Sequence, residues 1–397
     1  MHAKSLPRTL RQALSWATIA SVFAAPMSLA QAQQAQGVTD TEIVVGSIQD
    51  ISGPVASVGA PMREGMTLAV EDINAAGGIN GRKIRLLVED SGYDPKKGVL
   101  AAQKLLTQDK VFALVGTLGS AVTQATQPLA LDRNVPYLFP LAASDITYLP
   151  YHPLKFGLYA LASEHMRAAV EYAYSKLGKR RFGILYQDDE TGQQNFRAAE
   201  EQLKVHGLKM LEVTTYKRGD TNFSAQISRL KAADLDMLVL GTVVRETAGA
   251  EIEAKAQGWP VDMIVNQGLV GAVLALGGKS VEGLYGSTQY LNSAEPMTPE
   301  YKAFAERFKA RFGHDVGDGV NYGYVCLMLF AEGARNAGRA LTAQSLADGL
   351  EKVKNFRSVF QTAPISYGPL DHAPPRGAYI LQVKDGKWTV LAGPVSY

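Results

Sequence analysis

Short apolar runs alternate along this chain with longer stretches in which apolar residues return every three or four positions. Ile43-Val44-Val45-Gly46 reads as a buried strand. Residues 61–76 read as a helix with Met62, Met66, Ala69, Val70 and Ile73 on one face. Pro61 suits a first-turn position, and Gly77-Gly78 supplies the stop. Residues 84–89 form the next strand, Asp94-Pro95 opens a helix carrying Val99, Leu100, Ala102, Leu105 and Leu106, and residues 111–115 make a third strand ending at Gly116. The unit recurs downstream, with strands at 182–186, 211–216 and 237–240. Helices at 193–206 and 222–232 separate them, the second aligning Phe223, Ile227 and Leu230.

Strands separated by single helices predict parallel sheets covered by helices on both faces, an α/β class. No short-period repeat is present, but the two halves share this architecture. For a chain of this length the pattern predicts two doubly wound parallel-sheet lobes with a cleft between them. Open parallel sheets bind ligands beyond the carboxyl ends of their strands. That rule singles out residues 49–59, 117–123, 140–144, 188–192, 242–247 and 266–268.

The N-terminus adds an address. His2, Lys4, Arg8 and Arg11 precede an apolar run from Leu14 to Leu29, and Ala30-Gln31-Ala32 places small residues where a signal peptidase cuts. The run falls short of the ~20 residues that span a bilayer, and Ser, Thr and Pro interrupt it. A cleaved leader over residues 1–32 is therefore expected. The formal charge of +2 includes three leader cations and no leader acid, so the remainder lies near −1. No clustered basic face points to nucleic acid.

Candidate chemistry is sparse. The one cysteine, Cys326, sits in the apolar run 325–330, so it forms no internal disulfide and reads as a small buried hydrophobe. It is also too far from the cleavage site to carry a lipid anchor. The six histidines lack metal-ligand spacing, and there is no Gly-x-Ser-x-Gly turn. No cofactor or metal is called for. Asp188-Asp189-Glu190 reads as a loop cap and solvated face. The segment Gly116-Thr117-Leu118-Gly119-Ser120 is more suggestive: a strand end, a glycine turn and a helix start offer N–H groups and a hydroxyl to a carboxylate. The alternative is that Ser120 merely caps its own helix. Pro140-Leu141-Ala142-Ala143-Ser144 follows a strand in the same way.

The chain resembles the periplasmic solute-binding proteins of branched-chain amino acid type ABC transporters, the leucine/isoleucine/valine-binding family of type I fold. The resemblance runs through Ile43-Val44-Val45-Gly46, Ser52-Gly53-Pro54, Gly59 and the stretch Ala69-Val70-Glu71-Asp72-Ile73-Asn74-Ala75-Ala76-Gly77-Gly78-Ile79-Asn80-Gly81-Arg82. It continues at Asp94-Pro95, Asp188-Asp189 with Gly192, and Asp220-Thr221-Asn222-Phe223-Ser224. It implies two lobes joined by a three-strand hinge, residues 38–157 with 292–355 forming the first and 158–291 with 356–397 the second. It also implies a monomeric periplasmic receptor that delivers a small-molecule ligand to an inner-membrane ABC permease, and not an enzyme. A ligand sensor of the same fold is the first alternative, and an exported enzyme the second.

Carried over onto this chain, first-lobe contacts fall on Ser52, Leu118, Gly119, Ser120, Ala142, Ala143 and Ser144. Second-lobe contacts fall on Thr191, Val244, Arg245, Asn266 and Gln267. Thr191 stands where relatives often place a Tyr over the ligand. Asn266-Gln267 offer amides where amino-acid binders place a carboxylate for the ligand ammonium, although Glu246 lies close by in sequence. A buried ammonium without a fixed anion is costly. A small organic carboxylate, aromatic ones included, or an amide-like solute is therefore expected ahead of a standard branched-chain amino acid.

Overall fold

The computed structural model describes residues 35–142, 144–160, 162–266, 270–291, 297–360, 364–374, 377–395 and 397. The expected leader, Ala143 and Gln267 lie outside these. Strand β1 (Glu42–Gln49) shows why an unbroken apolar run becomes a central strand. Its Ile43 and Val45 enter the core on one face of the sheet, and Val44 and Ile48 enter the core on the other. Burial on both faces removes the polar alternation of a surface strand.

The first sheet is parallel, in the order β2 (Lys83–Asp90), β1, β3 (Ala113–Val115), β4 (Tyr137–Leu138), β5 (Lys155–Phe156). Helices α1 (Ala56–Ala75), α2 (Pro95–Gln103) and α3 (Ser120–Leu131) link its strands. The expected helix at 61–76 starts earlier because the Asp50 carboxylate accepts N–H groups of Gly53 and Val55 and folds a turn that runs into the helix. Pro61 consequently lies inside α1, not in its first turn. Asp94 caps α2 as expected, accepting the Lys96 N–H at 2.7 Å.

The second sheet has the order β12 (Lys387–Val395), β11 (Ala378–Lys384), β10 (Tyr285–Thr288), β9 (Asp262–Val265), β8 (Met237–Gly241), β6 (Phe182–Gln187), β7 (Glu212–Tyr216). Strands β6 to β10 pair in parallel and the edge hairpin β11–β12 is antiparallel. Its helices include α4 (Ala162–Ser175), α5 (Glu190–Val205), α6 (Ser224–Lys231), α7 (Val244–Ala256) and α8 (Val270–Gly277). On β8, Leu238 and Leu240 face one core while Met237 and Val239 face the other. After β10 the chain returns to the first sheet with α9 (Pro299–Phe312), α10 (Val320–Ala337) and α11 (Ala343–Glu351), whose apolar faces complete that core.

Both halves bring a strand end against the first turn of a helix at a glycine. A Cβ at Gly59 would lie 1.9 Å from the Asp50 carbonyl oxygen, and one at Gly192 would lie 1.8 Å from that of Gln187. Only a missing side chain permits that approach.

The chain passes between the sheets three times, and the passages are bonded to each other. Gln289 donates to the Leu158 carbonyl at 2.8 Å and accepts the Ala160 N–H at 2.6 Å. The Gly157 N–H reaches the His372 carbonyl at 2.9 Å, and the Tyr367 hydroxyl donates to the Gly157 carbonyl at 2.7 Å. Phe360, Ile365 and Tyr367, downstream of the expected boundary at 355/356, belong to the core on the first sheet. Cys326 is fully buried there, as expected.

Candidate ligand-binding site

Two loops leaving the first sheet are zipped together before they reach the cleft. Leu118 N–H bonds the Ile48 carbonyl, Gly119 N–H the Leu141 carbonyl and Leu141 N–H the Thr117 carbonyl, all at 2.8–2.9 Å. This extension sets α3 and Ser144 side by side. Gly119, at φ +102°, is the cap residue of α3, and Ser120 is the first helical residue instead of the cap. The requirement for glycine is double, because a Cβ there would also lie 2.6 Å from the Tyr93 ring. With no cap side chain, and the first helix bond made by Thr123 N–H, the N–H groups of Ser120, Ala121 and Val122 point out of the helix end. That end carries partial positive charge.

The second sheet supplies the facing wall. Asp189 follows β6 and caps α5, accepting the Gly192 N–H at 3.0 Å. Thr191 and Gln194, in the first turns of α5, reach across: the Thr191 hydroxyl donates to Ser120 Oγ at 3.4 Å, and Gln194 Nε2 to Ser144 Oγ at 3.2 Å. Arg218, on the loop after β7, donates to Asp189 at 3.2 Å and lies over the Tyr93 ring at 4.7 Å. Between these groups is a cavity of about 400 Å³, lined by Tyr93, Ser120, Gln124, Ser144, Asp189, Thr191, Gln194 and Arg218 among others. Burial pushes the Tyr93 phenol above its ordinary range, with Arg218 pulling the other way. It is therefore a neutral donor at physiological pH.

The structure thus brings together Ser120, Ser144 and Thr191. Leu118, Gly119 and Ala142 form the backbone behind them, and Leu118 and Ala142 are buried. Ser52 is exposed and donates to Asp90 at 2.6 Å. Val244 and Arg245 lie in the first turn of α7, where Arg245 pairs with Glu246 at 3.1 Å. Asn266 is buried and bonds the Asn195 side chain. None of these four is among the described residues lining the cavity. The second carboxylate oxygen of Glu246 is buried and has no partner among the described residues.

Tyr93, Gln194 and Arg218 escape sequence reading for an identifiable reason. The carboxyl-end rule was open to every strand, and the loops after β2 and β7 that carry Tyr93 and Arg218 satisfy it as well as the six segments named above. Among the described residues, no group of three or more His, Cys, Asp or Glu side chains could hold a metal ion.

The chain belongs to the periplasmic binding protein family, whose model matches residues 42–387. It is a substrate-binding protein of the branched-chain amino acid type, with the type I periplasmic fold, and not an enzyme. It is 28% identical over 292 residues to the leucine-, isoleucine-, valine-, threonine- and alanine-binding protein of Pseudomonas aeruginosa, covering 73% of this chain and 77% of that one. An amino acid binding protein of the same organism is 25% identical over 297 residues, covering 75% and 79%. Among solved structures, a solute-binding protein from R. palustris in complex with benzoate superposes with a TM-score of 0.79 at 19% identity, over 89% of this chain and 96% of that one. A branched-chain amino acid transporter substrate-binding protein from Streptococcus pneumoniae, in complex with isoleucine, gives 0.77 at 24%, over 88% and 99%. At these identities the structural matches establish the fold alone.

Proposed function

We propose that this chain is an exported, monomeric receptor that holds a small carboxylate-bearing organic solute between its lobes and delivers it to an ABC permease in the inner membrane. The lobes are taken as residues 38–157 with 292–367 and residues 158–291 with the segment from 368 on. The third passage is placed after Tyr367, because the core on the first sheet extends to that residue. The leader over 1–32 would direct the chain to the periplasm.

One observation carries the solute class. The uncapped start of α3, with the Ser120 and Ser144 hydroxyls beside it, opens on a cavity whose far side is the second lobe. Outward N–H groups, a positive helix end and two hydroxyls suit an anionic oxygen pair. A solute touching both walls favours the closed arrangement by its differential affinity. Tyr93 lines the cavity with an aromatic side chain, which keeps aromatic acids among the candidates. The test is calorimetric titration of benzoate, hexanoate and leucine into the wild-type protein and Ser120→Ala. Acid binding that weakens in the variant supports the reading; acid binding with unchanged affinity in the variant removes the α3 anchor.

A second reading has one observation in its favour. One buried oxygen of Glu246 has no partner among the described residues; Glu246 does not line the cavity, so this reading places an ammonium-bearing solute deeper, against α7, in which case leucine binds and the simple acids do not.

A further inference from the structure

Arg218 is the one cation among the described residues lining the cavity, and no sequence motif singles it out. Among the described residues its guanidinium, which carries five donors, makes one contact with a carboxylate, to Asp189 at 3.2 Å. Its position relative to the α3 start is set by a single side chain. The Tyr93 ring edge lies against Gly119 at that helix start, and the ring face lies beneath Arg218. The two anion-favouring points are therefore about one aromatic ring apart, on the same cavity.

Asp145, Asp189 and Glu190 also line the cavity, so a second anion would be drawn to the guanidinium itself and not by the net charge of the walls. Asp189 is engaged by Arg218 and by the α5 N–H it caps. Glu190 pairs with Arg197 at 3.2 Å, and Gln194 Nε2 lies within 3.2–3.3 Å of Glu190, Asp145 and Ser144 Oγ, three acceptors for its two hydrogens.

We propose that the solute carries two acidic groups, one at the α3 start and the other at Arg218, so that short aliphatic or aromatic dicarboxylates are preferred over their monoacids. This rests on the reading of the cleft as a carboxylate site. The Arg218 guanidinium lies over the Tyr93 ring at 4.7 Å and carries a planar donor fork that suits a carboxylate and that a lysine at that place would not reproduce. The nearby Asp189 holds the guanidinium in place, as a second acceptor on the same fork.

The test is the ratio of affinities within matched pairs, adipate over hexanoate and terephthalate over benzoate, by calorimetry on the wild type, Arg218→Gln and Arg218→Lys. The wild type is expected to favour the diacid by about tenfold or more, the scale of one charge-assisted contact. Arg218→Gln should collapse that ratio towards one, and Arg218→Lys should recover part of it. A wild-type ratio near one, or a ratio that persists in Arg218→Gln, overturns the inference. Ser120→Ala separates the two readings: it should weaken both members of each pair together. If Ser120→Ala has no effect while the Arg218 ratio behaves as expected, the α3 anchor fails and the Arg218 contact stands. Binding of leucine without any acid overturns both. Arg218 is exposed on a surface loop, so an unchanged melting temperature is expected and confirms that each variant is folded.

Discussion

Ser120 shows how one residue of register changes a side chain's role. The sequence offers it as a helix cap, but the left-handed backbone of Gly119 puts the cap one position earlier. The Ser120 hydroxyl is then turned towards Thr191 on the other wall instead of being spent on its own helix. A hydrogen bond to a charged group contributes about 1.5–3 kcal/mol, so Ser120→Ala should weaken binding of a carboxylate solute by roughly 10- to 100-fold. The loops carrying Ser120, Ser144 and Thr191 were legible as strand ends, while Thr191 itself was named only through the family resemblance. The loops carrying Tyr93 and Arg218 satisfy the same rule, but their contact joins residues on different lobes, so which side chains meet there depends on how the lobes meet. Local pattern carries no such information.

Elements were legible where burial is two-sided or periodic. The apolar stripe of α1 is as the spacing predicts, with Met62, Met66, Ala69 and Ile73 all buried. Its partner is not visible in the stripe, since α10 lies some 250 residues downstream and returns only through the second passage. The contact is close. A Cβ at Gly323 of α10 would lie 2.0 Å from the Met62 carbonyl oxygen, and one at Gly65 of α1 would lie 2.1 Å from that of Val320. Gly323→Ala must push the helices apart, and it is expected to lower stability by about 1–3 kcal/mol despite the better helix propensity of alanine. Urea denaturation measures this directly; an unchanged or raised midpoint would show that the approach is not needed. Strands β4 and β5, two residues each, carry no period to read. The β11–β12 hairpin did carry a signal, Asp385-Gly386 between alternating strands, of the kind that marks a two-residue turn.

At the scale of the molecule, two buried groups on helices of the second sheet put opposite demands on pH. Glu251, buried in α7, has its carboxyl pushed up to about 7 by burial, with Lys255 opposing and Asp262 adding to the rise. The folded state keeps this proton while the unfolded chain releases it near 4.5, so its contribution is full below that pH and is lost as pH rises through 7. His165, buried at the start of α4, is pushed down to about 4 by burial. It stays neutral in the fold, so its contribution is present above 6.5 and is lost as pH falls towards 4. Each shift corresponds to about 3 kcal/mol over its window. The slopes oppose each other between pH 4.5 and 6.5, and wild-type stability should vary little there. Glu251→Gln should remove one slope, leaving a protein more stable than wild type at pH 8 that loses stability on acidification below 6.5. Equal denaturation midpoints for the two proteins at pH 8 would contradict this. The receptor reading itself depends on where a bound solute lies between the lobes. A crystal structure of the protein with its tightest-binding acid tests it most directly. The account predicts a carboxylate at the start of α3, within hydrogen-bond distance of the Ser120 and Ser144 hydroxyls, with Arg218 and Thr191 on its far side. An acid bound elsewhere on the protein, with the α3 start turned to solvent alone, would contradict it.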